Sequence, residues 1–277
     1  MDEREIGPDR VLEIRTQLEK AGSSRRERYG RFTLSALSSI PWVGGFLSAT
    51  ADLDAEKAQG RVNALHQQWL ELHHEKLEEL GRTLAEIVGR LETLGELASE
   101  RLEDESYLGL VAQGFRVWDE SATEEKKKLV QRLLENAGGT TLCSDDVVRL
   151  FIDWIQQYHE IHFAVIRTIH RSPGVSRSEI WQDISGVEVR DDSAEADLFK
   201  LLIRDLSTGS VIRQARESDI YGRFYRKRSR EPQGEYLASP FDNTKPYVLT
   251  ELGRQFVHYA MDEAIPRIVG ENGDGYA

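Results

Sequence analysis

The sequence predicts a mainly α protein in two parts, a helical bundle or coiled-coil region over residues 1–139 and a domain over 140–277 that joins short helices to a small β-hairpin. Three observations lead there. From Asp54 to Glu103 no proline occurs and leucines recur three and four residues apart, the period of a helix face. The run Ala137, Gly138, Gly139, Thr140 is a helix-stopping turn and sets the expected boundary. Beyond it, capping signals recur at short spacing, and two short β-like runs precede a last helix.

Taken in order, Val11, Ile14 and Leu18 after Pro8 read as a short amphipathic helix ending at Gly22 and Ser23. Arg25, Arg26, Arg28 and Arg31 then precede twenty uncharged residues, Phe32 to Ala51, closed by Asp52, Asp54 and Glu56. The run has the length of a bilayer span, roughly twenty residues. Its six hydroxyl side chains, Pro41 and the Gly44-Gly45 pair argue instead for a two-part helix with a turn between Pro41 and Gly45, packed against the bundle. The alternative is a membrane-active segment led by Phe32, Leu37, Ile40, Trp42, Val43, Phe46 and Leu47.

Leu77, Leu80, Leu84, Ile87, Leu91 and Leu94 form an unbroken alternation of three and four, a seam suited to a dimeric coiled coil or to packing within one chain. An earlier run, Val62, Leu65, Trp69 and Leu72, joins it only through a step of five, which predicts a change of partner or a break near Gly81. Tyr107 to Asn136 reads as a helix pair, with Ser121 and Glu124 as a capping box between them.

In the second part Asp145 and Asp146 suit a helix start, and Val148, Phe151, Trp154, Ile155, Tyr158, Ile161, Val165 and Ile169 mark one or two helices up to Ser172, Pro173 and Gly174. Ser176 with Glu179 and Asp192 with Glu195 predict capping boxes for two more helices. Strands are expected at Ser210–Arg213 and Tyr247–Leu249, and Thr250 is placed to cap a closing helix in which Gly253 allows close approach.

Three helices, a hairpin and a closing helix carrying YVLTELGRQF make the region 155–262 resemble the winged-helix domains of bacterial transcription regulators. That resemblance implies a third helix entering the major groove of DNA and a hairpin wing touching the backbone or minor groove. Here the matching third helix, Ser193 to Leu206, departs from the pattern, because Glu195, Asp197 and Asp205 outnumber Lys200 and Arg204. The wing segment GRFYRKRSR does carry Arg223, Arg226, Lys227, Arg228 and Arg230, interleaved with Phe224 and Tyr225, a composition suited to phosphate contact and base stacking. The same closing helix, through Phe256 and Val257, is a place where such regulators pair their subunits.

Composition narrows the function. The 277 residues carry 36 Lys and Arg against 48 Asp and Glu, a formal net charge of -12, so any contact with a polyanion must be local. Residues 204–230 reverse the balance, with eight basic side chains to three acidic ones. One cysteine, Cys143, precludes an intramolecular disulfide and a cysteine-based zinc site, and MDEREIGPDR lacks the apolar stretch of a secretory signal, so a cytoplasmic chain is expected, peripheral to a membrane only if 32–51 inserts.

His159, His162, Ile166 and His170 share one helix face, with Glu160 adjacent in sequence, so several imidazoles could approach a metal, but their spacing differs from HExxH, and neither GxxxxGK[ST] nor GxSxG occurs. The expectation is a non-enzymatic bacterial regulator or adaptor without metal or cofactor; the alternative is a membrane-acting effector, of the kind found in antiphage and toxin systems, that uses 32–51 with the winged helix as a sensor or protein-docking module. Its partners would be a second copy, a nucleic acid at the wing, or a protein docked on the second domain.

Overall fold

The computed structural model describes residues 23–43, 59–140, 142–215, 239–241 and 246–261. Among these the chain is mainly helical, with ten α-helices and one two-stranded antiparallel sheet. It divides into two compact units between Gln156 and Gln157, the second comprising Gln157–Met261. The expected helix over Val11, Ile14 and Leu18 lies outside the described residues.

The first unit contains α1 (Ser23–Ser39), α2 (Gln59–Thr93), α3 (Glu96–Arg101), α4 (Glu105–Glu120), α5 (Glu124–Gly139) and α6 (Asp145–Gln157), which runs up to the boundary. Helix α1 lies along α4. Phe32 stacks on Tyr107 with ring centroids 6.5 Å apart and meets Phe115 edge-on at 6.4 Å, while Ser35 Oγ donates to the Leu108 carbonyl at 2.8 Å. After Ser39 the chain bends at Ile40 and makes a further helical turn at Pro41–Val43. The helix is in two parts as expected, but the break falls at Ile40 rather than from Pro41 onward, because Pro41, lacking an N–H and fixed in φ, suits the first position of the next helical turn.

Helix α2 runs unbroken through Gly81, so the step of five between Leu72 and Leu77 does not interrupt the helix. Its Leu80, Leu84, Ile87 and Leu91 are buried, and α2 packs on α5. Gly138 and Gly139 end α5 inside this unit. A side chain at Gly138 would collide with Leu91 and the Tyr107 phenol, and one at Gly139 with Leu94, so the pair serves close helix packing there. The cap of α5 is Thr123, whose hydroxyl accepts from the Lys126 N–H; Ser121 instead closes α4 and donates to the Val117 carbonyl at 2.6 Å. The cap therefore lies two residues beyond the expected Ser121, because Ser121 bonds back to the helix that it ends.

The second unit contains α7 (Glu160–Arg171), α8 (Arg177–Ser185), α9 (Ala194–Thr208), β1 (Ile212–Gln214), β2 (Tyr247–Leu249) and α10 (Glu251–Phe256), followed by a π-helical turn at Val257–Met261. Helices α6 and α7 are separate, split at Tyr158 and His159. Ser176 and Glu179 form the expected reciprocal capping box of α8. At α9 the cap is Ser193, accepting from the Ala196 N–H at 3.1 Å, because Asp192 is engaged by Arg190 at 2.8 Å.

Strand β1 pairs with β2 in the register Ile212 to Leu249, Arg213 to Val248 and Gln214 to Tyr247, and Val175 bridges Tyr247 on the other side. Thr250 caps α10 through the Gly253 N–H at 2.9 Å. Gly253 lies against the Val211 carbonyl so closely that a Cβ would overlap it. The core is aromatic: Phe199 stacks on Phe241 at 5.6 Å, Trp181 lies tilted against both at 5.4 and 5.5 Å, and Phe163 stacks on Phe256 at 6.2 Å.

Candidate nucleic-acid interface

The basic residues expected to contact nucleic acid fall into two groups. Arg223, Phe224, Tyr225, Arg226, Lys227, Arg228 and Arg230 lie outside the described residues. Lys200 and Arg204 sit on the solvent face of α9, each beside an acid: Lys200 Nζ lies 3.0 Å from Asp197, and Arg204 Nε lies 3.6 Å from Asp205. On the same helix Leu198, next to Asp197, and Leu201, next to Lys200, remain 42% and 39% exposed. Two cations each paired with an acid, beside two exposed leucines, make a poor phosphate surface, since each ion pair competes with a phosphate for its cation.

At the base of the hairpin, Arg177 was not anticipated. It occupies the first turn of α8, its guanidinium lies 5.4 Å from the Tyr247 ring centroid, and its Nε donates to the Tyr247 hydroxyl at 2.9 Å. Gln214 Nε2 reaches the same hydroxyl at 3.4 Å. Tyr247 thus fixes a cation at the sheet edge. The only sequence signal was an Arg directly after the Ser176 cap, and it needed the partner strand to become legible.

Beside α8 an open depression of about 480 Å³ is lined by Thr168, Arg171, Ser172, Pro173, Gly174, Val175, Glu179 and Asp183. Its carboxylates are already engaged: Asp183 accepts from the Thr168 hydroxyl, and Glu179 accepts the Ser176 N–H, a backbone hydrogen bond that holds its carboxyl below the usual range.

The histidines singled out by spacing take different places. His159 stands in the link before α7, and His162 is buried in its first turn, with the Tyr158 ring stacked at 5.0 Å. His170 is exposed near the helix end. Among the described residues no group of three or more His, Cys, Asp or Glu is arranged to hold a metal ion.

Of the residues considered for self-association, Leu80, Leu84, Ile87, Leu91, Phe256 and Val257 are buried within the single chain, whereas Leu77 and Leu94 are half-buried. Of those considered for a membrane, Phe32, Ile40 and Val43 are buried, Leu37 and Trp42 half-buried, and Phe46 and Leu47 outside the described residues. No described helix is long and apolar enough to cross a membrane. No protein-family model, curated protein or solved structure matches the chain.

Proposed function

We propose that the chain is a non-enzymatic regulator or adaptor whose second unit is a winged-helix module, and that it contacts nucleic acid through the basic segment 223–230. The observation that carries this reading is the row Val175, Tyr247, Gln214 across the sheet. It ties the start of α8 to the sheet in a unit whose elements run three helices, two paired strands and a closing helix, the order that supports the resemblance, with β1 before and β2 after the basic segment in sequence.

Affinity then rests on the wing. The α9 face is net acidic and pairs its own cations, while five basic residues within eight positions of the wing release counterions on binding. Self-association as a dimer belongs to the same proposal, as does a cytoplasmic location. A membrane-acting role for 32–51 would require the buried Phe32, Ile40 and Val43 to leave the interior of the first unit, which costs apolar burial on the order of 1.5 to 3 kcal/mol for each large side chain.

A fluorescence-anisotropy titration of a labelled DNA duplex with the full chain tests the reading. Binding that weakens steeply as salt rises is the expected result. Absence of binding to any duplex or single strand at low salt would overturn it and leave the second unit as a protein-docking module.

A further inference from the structure

The first turn of α7 is closed by a histidine used as an acceptor. His162 is the third residue of the helix, and its Nδ1 lies 3.1 Å from the backbone nitrogen of His159, which donates to it. The ring is 5% exposed. A ring nitrogen that accepts must carry a lone pair, so this bond fixes His162 as the neutral tautomer with its proton on Nε2.

The surroundings discriminate against a second proton. Adding one at Nδ1 sets N–H against N–H and removes the partner of the His159 amide, which is one of the unsatisfied donors of the helix start. The turn also lies at the positive end of the α7 dipole, where a cation is disfavoured. Around the ring stand Tyr158, stacked at 5.0 Å, His159, with its centroid at 6.0 Å, and Asp205 of α9, whose Oδ2 lies 3.9 Å from Nε2. Asp205 faces the Nε2 side, so it meets the N–H of the neutral ring as well as that of the cation, and the neighbouring Arg204 offsets part of its charge. A second charge on His159 would add repulsion.

We propose that this arrangement is an acid-sensitive helix start: protonation of His162 opens the first turn of α7 and releases the His159 amide that the ring holds. The device concerns the helix start alone and is independent of nucleic-acid binding.

The test is nuclear magnetic resonance on the full chain labelled with ¹⁵N at histidine and backbone, titrated from about pH 8 to about pH 5, the range in which an imidazole ordinarily changes charge. At the upper end His162 should show the neutral Nε2–H pattern. On acidification, amide exchange at 159–163, corrected for intrinsic rates, should rise by about tenfold as the hydrogen bond is lost, with a smaller change in α9. His162→Gln supplies a side-chain oxygen able to accept the same N–H but no titrating group, as in a regular capping box, so protection there should become independent of pH. An Nδ1–H tautomer at the upper end, protonation of His162 without loss of protection, or equal acid sensitivity in His162→Gln would each overturn the proposal. If the variant misfolds, the tautomer and protection measured on the unmodified chain decide alone.

Discussion

The indole Nε1 of Trp42 donates to the Asp119 carboxylate at 2.7 Å, tying the helical turn after Pro41 to the last turn of α4. The His73 ring stacks on the same indole at 4.9 Å, and Lys76 Nζ lies 5.8 Å from its centroid. The first half of the uncharged run is thus held at both ends, by the burial of Phe32 and by this polar clasp. Replacing Asp119 by Ala should lower the stability of the first unit by about 1 to 2 kcal/mol, the scale of a hydrogen bond to a charged group with part of its strength screened by water. Chemical denaturation with tryptophan fluorescence reads this directly. The intact chain should stay out of the lipid fraction in flotation with anionic vesicles; flotation of the unmodified chain would show that the clasp does not retain the segment.

Leu84 separates the two uses of the leucine seam. It is 6% exposed within one chain, so Leu84→Ala should cost about 2 to 5 kcal/mol and Leu84→Glu should unfold the first unit rather than release folded subunits. Circular dichroism and light scattering distinguish the outcomes. The unmodified chain should scatter as a dimer at micromolar concentration. A folded, monomeric Leu84→Glu variant would mean that the seam is an interface between chains.

Two carboxyl groups of the first unit should respond to pH in opposite directions. Burial opposes ionisation of Asp145, but hydrogen bonds from Arg101 and Ser106 and the charges of Arg101 and Arg149 outweigh it and keep the carboxyl below the usual range. A lowered value in the folded state contributes stability above the unfolded carboxylate range, near pH 4, and that contribution is lost as pH falls through the folded value. Asp145→Asn should therefore weaken the unit by about 1 to 2 kcal/mol at neutral pH and much less in acid.

Burial pushes the Glu135 carboxyl up, against the hydrogen bond from Gln131 at 2.8 Å and the charges of Arg90 and Arg132. A raised value gives stability that is present below the unfolded range and lost as pH rises through the folded value. Glu135→Gln should accordingly raise the neutral-pH melting temperature, and a fall would contradict this assignment.

Gly253 was legible as a close approach from its place after Thr250, and the Val211 carbonyl supplies the reason. Gly253→Ala should destabilise the second unit by roughly 1 to 3 kcal/mol, because the clash is with backbone that is itself held by the Thr250 N–H at 3.0 Å. A neutral substitution would mean that the β1 end moves freely away from α10.

Much of the helical order could be read from leucine period and capping residues, since these act within a few positions of the chain. Thr250 and the Ser176–Glu179 pair are local in this sense, and both cap as expected. The misplaced caps at Ser121 and Asp192 arose because each residue had a competing partner, Val117 in one case and Arg190 in the other. The packing role of Gly138 and Gly139 was hidden for a different reason: it depends on Leu91, Tyr107 and Leu94, distant in sequence. The same holds for Arg177, which acquires its orientation only when Tyr247 arrives beside it. The acidity of α9 was visible in composition, but not that Leu198 and Leu201 would be left exposed beside its ion pairs.

If nucleic-acid affinity resides in the basic segment 223–230 rather than on α9, duplex binding at low salt should depend on Arg226, Lys227 and Arg228 together. The triple variant Arg226→Ala, Lys227→Ala, Arg228→Ala should lose at least about tenfold in affinity, equivalent to about 1.4 kcal/mol, with a shallower dependence on salt and an unchanged circular-dichroism spectrum, and Lys200→Ala should have a smaller effect. Binding by the triple variant equal to that of the unmodified chain would show that the affinity resides elsewhere.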